Sequence, residues 1–163
     1  MNRSTSQEVK PETKNNNDLN RSKSSTLEFE NNSVINRLDK IKGEGNDYFR
    51  NGKYAEACDK YYEVLNEISY LSDKDSTKYK KELEELEILC RLNIANVKLK
   101  TEDYDLVIRE CAKVLRKNDN NFKAHYRSGV GYFKRGDYNK AESHFIRARE
   151  INKSEESAQS IYS

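Results

Sequence analysis

Several residue types and patterns are scarce in this 163-residue chain, and each absence excludes a class of function. No apolar run approaches the roughly 18 residues that a membrane helix needs, so no membrane insertion is expected. The only proline is Pro11, in the polar N-terminal stretch. Formal net charge is only +2, from 30 basic and 28 acidic residues that are interspersed rather than massed. No nucleic-acid footprint follows from such a balance. The three cysteines, Cys58, Cys90 and Cys111, have no metal-like spacing. Their odd number, and the lack of a signal peptide, point to small half-buried hydrophobes in a reducing, cytoplasmic compartment. The Asn-x-Ser sequons at Asn2, Asn20, Asn31 and Asn152 then carry no glycan meaning.

Catalytic groups are missing too. The two histidines, His125 and His144, fall in different elements. There is no His-Glu-x-x-His, no glycine-rich phosphate loop and no zinc-type pair. Adjacent carboxylates such as Glu84-Glu85 and Glu155-Glu156 lie on charged helical faces, where nothing buries them or separates their pKa values. The sequence therefore predicts a binding protein rather than an enzyme, with no metal and no cofactor.

What is present is a repeat. Lys123 to Tyr138 reads as an amphipathic helix ended by a Gly-Asp turn, with a second helix, NKAESHFIRAREI, behind it. The closing turn Gly136-Asp137-Tyr138 recurs as Gly52-Lys53-Tyr54 and, degraded, as Glu102-Asp103-Tyr104. Tyr104 and Tyr138 are 34 residues apart, and Tyr54 and Tyr104 are 50 apart, one period plus 16. Three after each tyrosine stands Ala57, Val107 or Ala141; seven after, Tyr61, Cys111 or Phe145; nine before, Gly45, Ala95 or Gly129. Small residues facing large ones at these offsets predict closely packed helix pairs, with Gly129 and Ala141 leaving room and Tyr132 and Phe145 filling it.

Residues 1–32 are polar and read as a disordered tail whose charges cancel. Ser33 is placed to cap the first helix, which runs through Leu38 and Gly45 to Asn51-Gly52. The second helix covers about 54–71 and is broken by Ser72-Asp73-Lys74-Asp75-Ser76. The third starts near Thr77, with Lys78 to Glu82 and Lys81 to Glu85 as i, i+4 pairs, and runs to about Lys100. The fourth covers about 104–117 and stops at Asn118-Asp119-Asn120-Asn121. The domain thus spans 33–152, with repeats at about 38–71, 88–121 and 122–153 and an extended helical hairpin at about 66–90. Residues 153–163 read as a short partial capping helix over an exposed apolar end.

A 34-residue helix-turn-helix period with this spacing resembles the tetratricopeptide repeat. The resemblance covers about residues 36–152 and implies an all-α fold: three repeats in a short right-handed superhelical solenoid, whose first helices line a concave groove. Lys42 and Asn46 are four apart on the first helix, and Lys123 and Arg127 four apart on the fifth. The like charges at 123 and 127 repel by a few tenths of a kcal/mol with no acidic residue beside them, which suggests an anionic ligand. Asn93 and Arg127 share the offset of eleven before the turn tyrosine.

This set resembles the dicarboxylate clamp of tetratricopeptide co-chaperones. The resemblance implies that Lys42, Asn46, Asn93, Lys123 and Arg127 grip the C-terminal Glu-Glu-Val-Asp tail of heat-shock chaperones, the ninety-kilodalton one ahead of the seventy. The long hairpin and the run LCRLNIANVKLK are similar to the domains of large immunophilins. That similarity implies supporting groove contacts from Phe49, Lys100 and Asn96, the last standing where the family usually has a small or apolar residue. No prolyl-isomerase activity carries over, and a monomer is expected. The other reading of the same repeats is a scaffold that holds a different partner in its groove or at its C-terminal end.

Overall fold

The computed structural model describes the backbone of residues 16–72 and 79–162 and the side chains of 33–72 and 79–156. Contacts divide the chain into two units, Met1–Val34 and Ile35–Ser163. The second holds the repeats.

Six helices are described: α1 (Asn16–Arg50), α2 (Tyr54–Ser72), α3 (Lys80–Lys100), α4 (Tyr104–Lys117), α5 (Phe122–Lys134) and α6 (Tyr138–Tyr162). Among the described residues there is no strand. From Ile35 onward the helices form three successive hairpins of an all-α solenoid: α1 meets α2 where Gly45 faces Tyr61, each helix from α2 on packs on the next, and α5 also reaches α3.

The three expected turns share one hydrogen-bond pattern. Lys53 N donates to Tyr48 O, Asp103 N to Lys98 O and Asp137 N to Tyr132 O, each at 2.9 Å. This six-to-one bond needs a left-handed residue just before the donor. Gly52 (φ 71°) and Gly136 (φ 81°) supply it freely, whereas Glu102 adopts φ 60° against its Cβ. Asp103 then caps α4 by accepting from Leu106 N at 3.2 Å, and Asn121 caps α5 by accepting from Ala124 N at 2.9 Å.

The core follows the small-large alternation. A Cβ on Gly45 would stand 2.7 Å from Tyr61 Cε1, and one on Gly129 would stand 2.6 Å from Phe145 Cε1. The equivalent pair in the middle repeat is Ala95 with Cys111, both fully buried. One methyl more on the first helix is thus matched by a smaller side chain sixteen residues later. Tyr61 is 2% exposed and cannot swing aside. Gly45→Ala is therefore expected to cost about 1–3 kcal/mol by overpacking, despite the roughly 1 kcal/mol that alanine gains in a helix. Urea unfolding of Gly45→Ala, Tyr61→Cys and the double variant checks this. A coupling energy near zero would show that the two positions do not compete for space.

Three sequence expectations are corrected. Ser33 lies inside α1, which begins at Asn16, because no glycine or proline interrupts that stretch. The tail reading for residues 1–15 falls outside the described residues, as do the Thr77 start of the third helix and the Lys78–Glu82 pair. Residues after 152 do not form a separate capping helix but continue α6 to Tyr162, with Asn152 Nδ2 donating to Glu156 Oε1 at 2.7 Å within the same helix. Tyr132 is half-buried rather than a core aromatic: its ring stacks on His144 and carries Lys140 Nζ 5.4 Å above its centre. The two histidines do fall in different elements, α5 and α6, and these helices bring Nδ1 of His125 and Nδ1 of His144 to 3.0 Å from each other.

Candidate functional site

The first helices of the hairpins, α1, α3 and α5, carry the five expected site residues. Asn46 and Asn93 meet directly. Asn46 Oδ1 accepts from Asn93 Nδ2 at 3.0 Å and from the Tyr61 hydroxyl at 2.8 Å. With its oxygen occupied, Asn46 has its Nδ2 donors left to offer a ligand. Tyr61 is the second-helix residue that holds this arrangement, and burial pushes its hydroxyl pKa up to about 12, so it stays a donor at neutral pH.

Lys42 is one turn before Asn46, with only 16% of its side chain exposed, and Asp39 Oδ1 sits 2.5 Å from its Nζ. The Asp39 partner was legible as an i, i+3 carboxylate but entered the sequence reading nowhere. Beneath the groove, burial pushes the Cys90 thiol up to about 12 against the pull of the Lys42 ammonium. All three cysteines are free and buried.

Arg127 is half-buried, and its Nη1 donates to the Leu92 carbonyl of α3 at 2.9 Å. Burial lowers its pKa, the mark of a guanidinium that has lost water without gaining an anion. Among the described residues no carboxylate forms an ion pair with Arg127 or with Lys123, which is exposed one turn earlier on α5. Elsewhere buried charge is answered: Glu110, 1% exposed, accepts from Arg91 Nη1 at 2.8 Å and Lys113 Nζ at 2.7 Å. Of the supporting residues, Phe49 is half-buried with its ring centre 5.6 Å from that of Tyr54, Asn96 is half-buried and Lys100 is exposed.

The histidine pair lies on the other side of α5. His125 Nε2 is 2.9 Å from the Asp119 carbonyl, which fixes its proton there and turns an Nδ1 lone pair toward His144. Burial, and then His125, lowers the His144 pKa. The folded protein therefore binds this proton less readily than the unfolded chain, so stability is full above about pH 6.5 and is lost as pH falls below it. Melting temperatures from pH 7.5 to 5.0 are expected to fall more steeply for the wild type than for His144→Gln. Parallel curves would show that His144 does not contribute to stability in this range.

Among the described residues no three His, Cys, Asp or Glu side chains gather as a metal site, and no helix is long and apolar enough to cross a membrane.

No family model matches the chain. It is 31% identical to the C-terminal tetratricopeptide-containing domain of an FK506-binding protein of Plasmodium falciparum, covering 72% of this chain and 78% of that one with a TM-score of 0.67. It is 32% identical over 124 residues to the peptidyl-prolyl cis-trans isomerase PASTICCINO1 of Arabidopsis thaliana, covering 76% of this chain and 19% of that protein. The second tetratricopeptide domain of Spaghetti (RPAP3), bound to the HSP90 peptide SRMEEVD, shares the fold at 20% identity and a TM-score of 0.58, covering 78% of this chain and 97% of that one. The chain spans about a fifth to a quarter of the length of the curated relatives it matches.

Proposed function

The chain belongs to the tetratricopeptide-repeat domains of FK506-binding proteins, and on that premise we propose that its α1/α3/α5 groove is a dicarboxylate clamp for the C-terminal acidic tail of a heat-shock chaperone. The observation that carries this reading is Arg127: a half-buried guanidinium, one turn from Lys123, with no carboxylate partner among the described residues. Arg127 and Lys123 supply positive charge from α5. Asn46 and Asn93 supply amide donors from α1 and α3, and Lys42 supplies a third cation once its ammonium turns from Asp39 to the ligand. A terminal aspartate, with a side-chain and a main-chain carboxylate a few ångströms apart, offers the matching acceptors.

That a domain of the same fold is bound to an HSP90 peptide ending in Glu-Val-Asp supports the ligand class. The ninety-kilodalton chaperone is the first partner to test and the seventy the second. The work is binding without turnover, done by a monomer. The buried, unbonded cysteines suit the reducing cytoplasm.

The test is calorimetric titration with both chaperone tails, each as free acid and as C-terminal amide. Amidation removes one charged acceptor, worth about 1.5–3 kcal/mol, so the amide is expected to bind at least tenfold more weakly. Affinity should also fall with added salt. Equal affinities for acid and amide would sink the clamp and leave a scaffold for some other partner.

A further inference from the structure

In the middle repeat, Leu92, Leu99, Cys111 and Leu115 are roofed by α5, whose Ala124 is buried among them. Thirty-four residues later the same positions are Tyr126, Phe133, Phe145 and Arg149, and no described helix lies over them. Tyr126 is 51% exposed, Phe133 53% and the adjacent Ile146 41%. Phe133, Tyr138, Phe145 and Ile146 line one open groove with Glu142 and Arg149 at its edge. Large exposed apolar surfaces of this kind mark interaction sites.

The middle repeat shows what the groove is shaped to hold. A Cβ on Gly131 would stand 3.1 Å from Ile108 Cγ1 and 3.5 Å from the Tyr104 carbonyl, while Ala124 clusters with Val114. So α5 runs antiparallel to α4 and presents small residues, Ala124, Ser128 and Gly131, at i, i+4 and i+7. An equivalent helix on α6 must do the same.

Neither the described residues of this chain nor a head-to-tail copy fills the groove. No described segment of this chain supplies the helix: Asn118 ends α4, but Asn152, 34 residues on, sits inside an unbroken α6. A second copy stacked head to tail does not fit either. At the register of Ala124, Ser128 and Gly131, α1 carries Lys40, Glu44 and Asp47, whose charges would be driven into an aromatic groove.

The charges define the occupant further. Glu142 and Arg149 replace Ile108 and Leu115, and neither forms an ion pair among the described residues. They are seven residues, or about 10.5 Å, apart along α6. An antiparallel helix meets Arg149 first and Glu142 two turns later. We propose that this groove docks one amphipathic helix of a different protein. That helix presents a small-residue stripe, with an acidic residue followed about seven positions later by a basic one.

The probe is a synthetic helical 18-residue peptide, acetylated and amidated so that it carries no terminal carboxylate. It has alanine, alanine and glycine at i, i+4 and i+7, with glutamate seven residues before lysine. By fluorescence anisotropy it is expected to bind the wild type, and Phe133→Glu or Ile146→Glu should weaken binding at least tenfold. Both positions are exposed, and circular dichroism checks that the variants fold. A peptide with the two charges exchanged should bind more weakly, and recover on the Glu142→Lys, Arg149→Glu double variant. Unchanged binding of the chaperone tail in these variants separates this groove from the clamp. Failure of the peptide to bind, or binding indifferent to Phe133→Glu and Ile146→Glu, overturns the proposal. So does self-association in sedimentation runs that Ile146→Glu abolishes, which would make the occupant a second copy.

Discussion

Replacing Arg127 by alanine is expected to lower affinity for the free-acid chaperone tail at least tenfold while changing stability by less than about 1 kcal/mol. The two effects separate for a physical reason. Arg127 donates to the Leu92 carbonyl, but that carbonyl lies within α3 and keeps its helical partner when the guanidinium is gone. The lost contact is offset by removal of the desolvation cost of the buried guanidinium and by relief of the repulsion from Lys123. The peptide carboxylate has no such substitute. Arg127→Lys sharpens the test, since it keeps the charge but loses the forked pair of donors, and should fall between wild type and alanine. Calorimetry and thermal melts on the same samples decide. Wild-type affinity in Arg127→Ala would refute the clamp, and an unfolded variant would assign Arg127 to the core instead.

The largest stability effect is expected at Glu110. Its carboxylate is 1% exposed and holds Arg91 of α3 and Lys113 of α4, while Glu87 bonds the Arg91 Nε at 2.8 Å and Lys117 Nζ at 3.2 Å. Removing one partner from a buried ionic network leaves the other charge in low dielectric, at a cost of about 3–5 kcal/mol. Glu110→Ala is placed near 3 kcal/mol, because Glu87 still answers part of the Arg91 charge. Glu110→Gln keeps the shape and one acceptor and should lose less. The measurement is the shift in urea midpoint at unchanged slope. A loss below about 1 kcal/mol would mean that the network behaves like an exposed surface pair.

The register of the repeat makes Glu110 and His144 equivalent, 34 residues apart, and likewise Arg91 and His125. The middle repeat joins its helices there with an ion pair, and the last repeat does so with two imidazoles. That correspondence could have been drawn from offsets alone. It emerges only when each histidine is placed in the register of the repeat, since neither residue type announces the pairing on its own.

The sequence by itself determined the helices, the turns and their equivalences. Helical period, the left-handed turn residue and the small-large offsets are local properties, legible in any one repeat and checked by the other two. It also placed Asn93 and Arg127 at equivalent positions of adjacent repeats, and Lys123 with Arg127 on one face of α5. The tertiary structure decided which groups complete one another across helices. It set Tyr61 against Gly45 and its hydroxyl on Asn46, brought the histidines together and, among the described residues, left Arg127 without a carboxylate and the aromatic face of α6 uncovered. It also carried α1 and α6 past their expected ends, where no residue forbade helix. Contacts between helices depend on crossing angle and approach distance, which are set by the bulk of many side chains packing at once. No single segment encodes that balance.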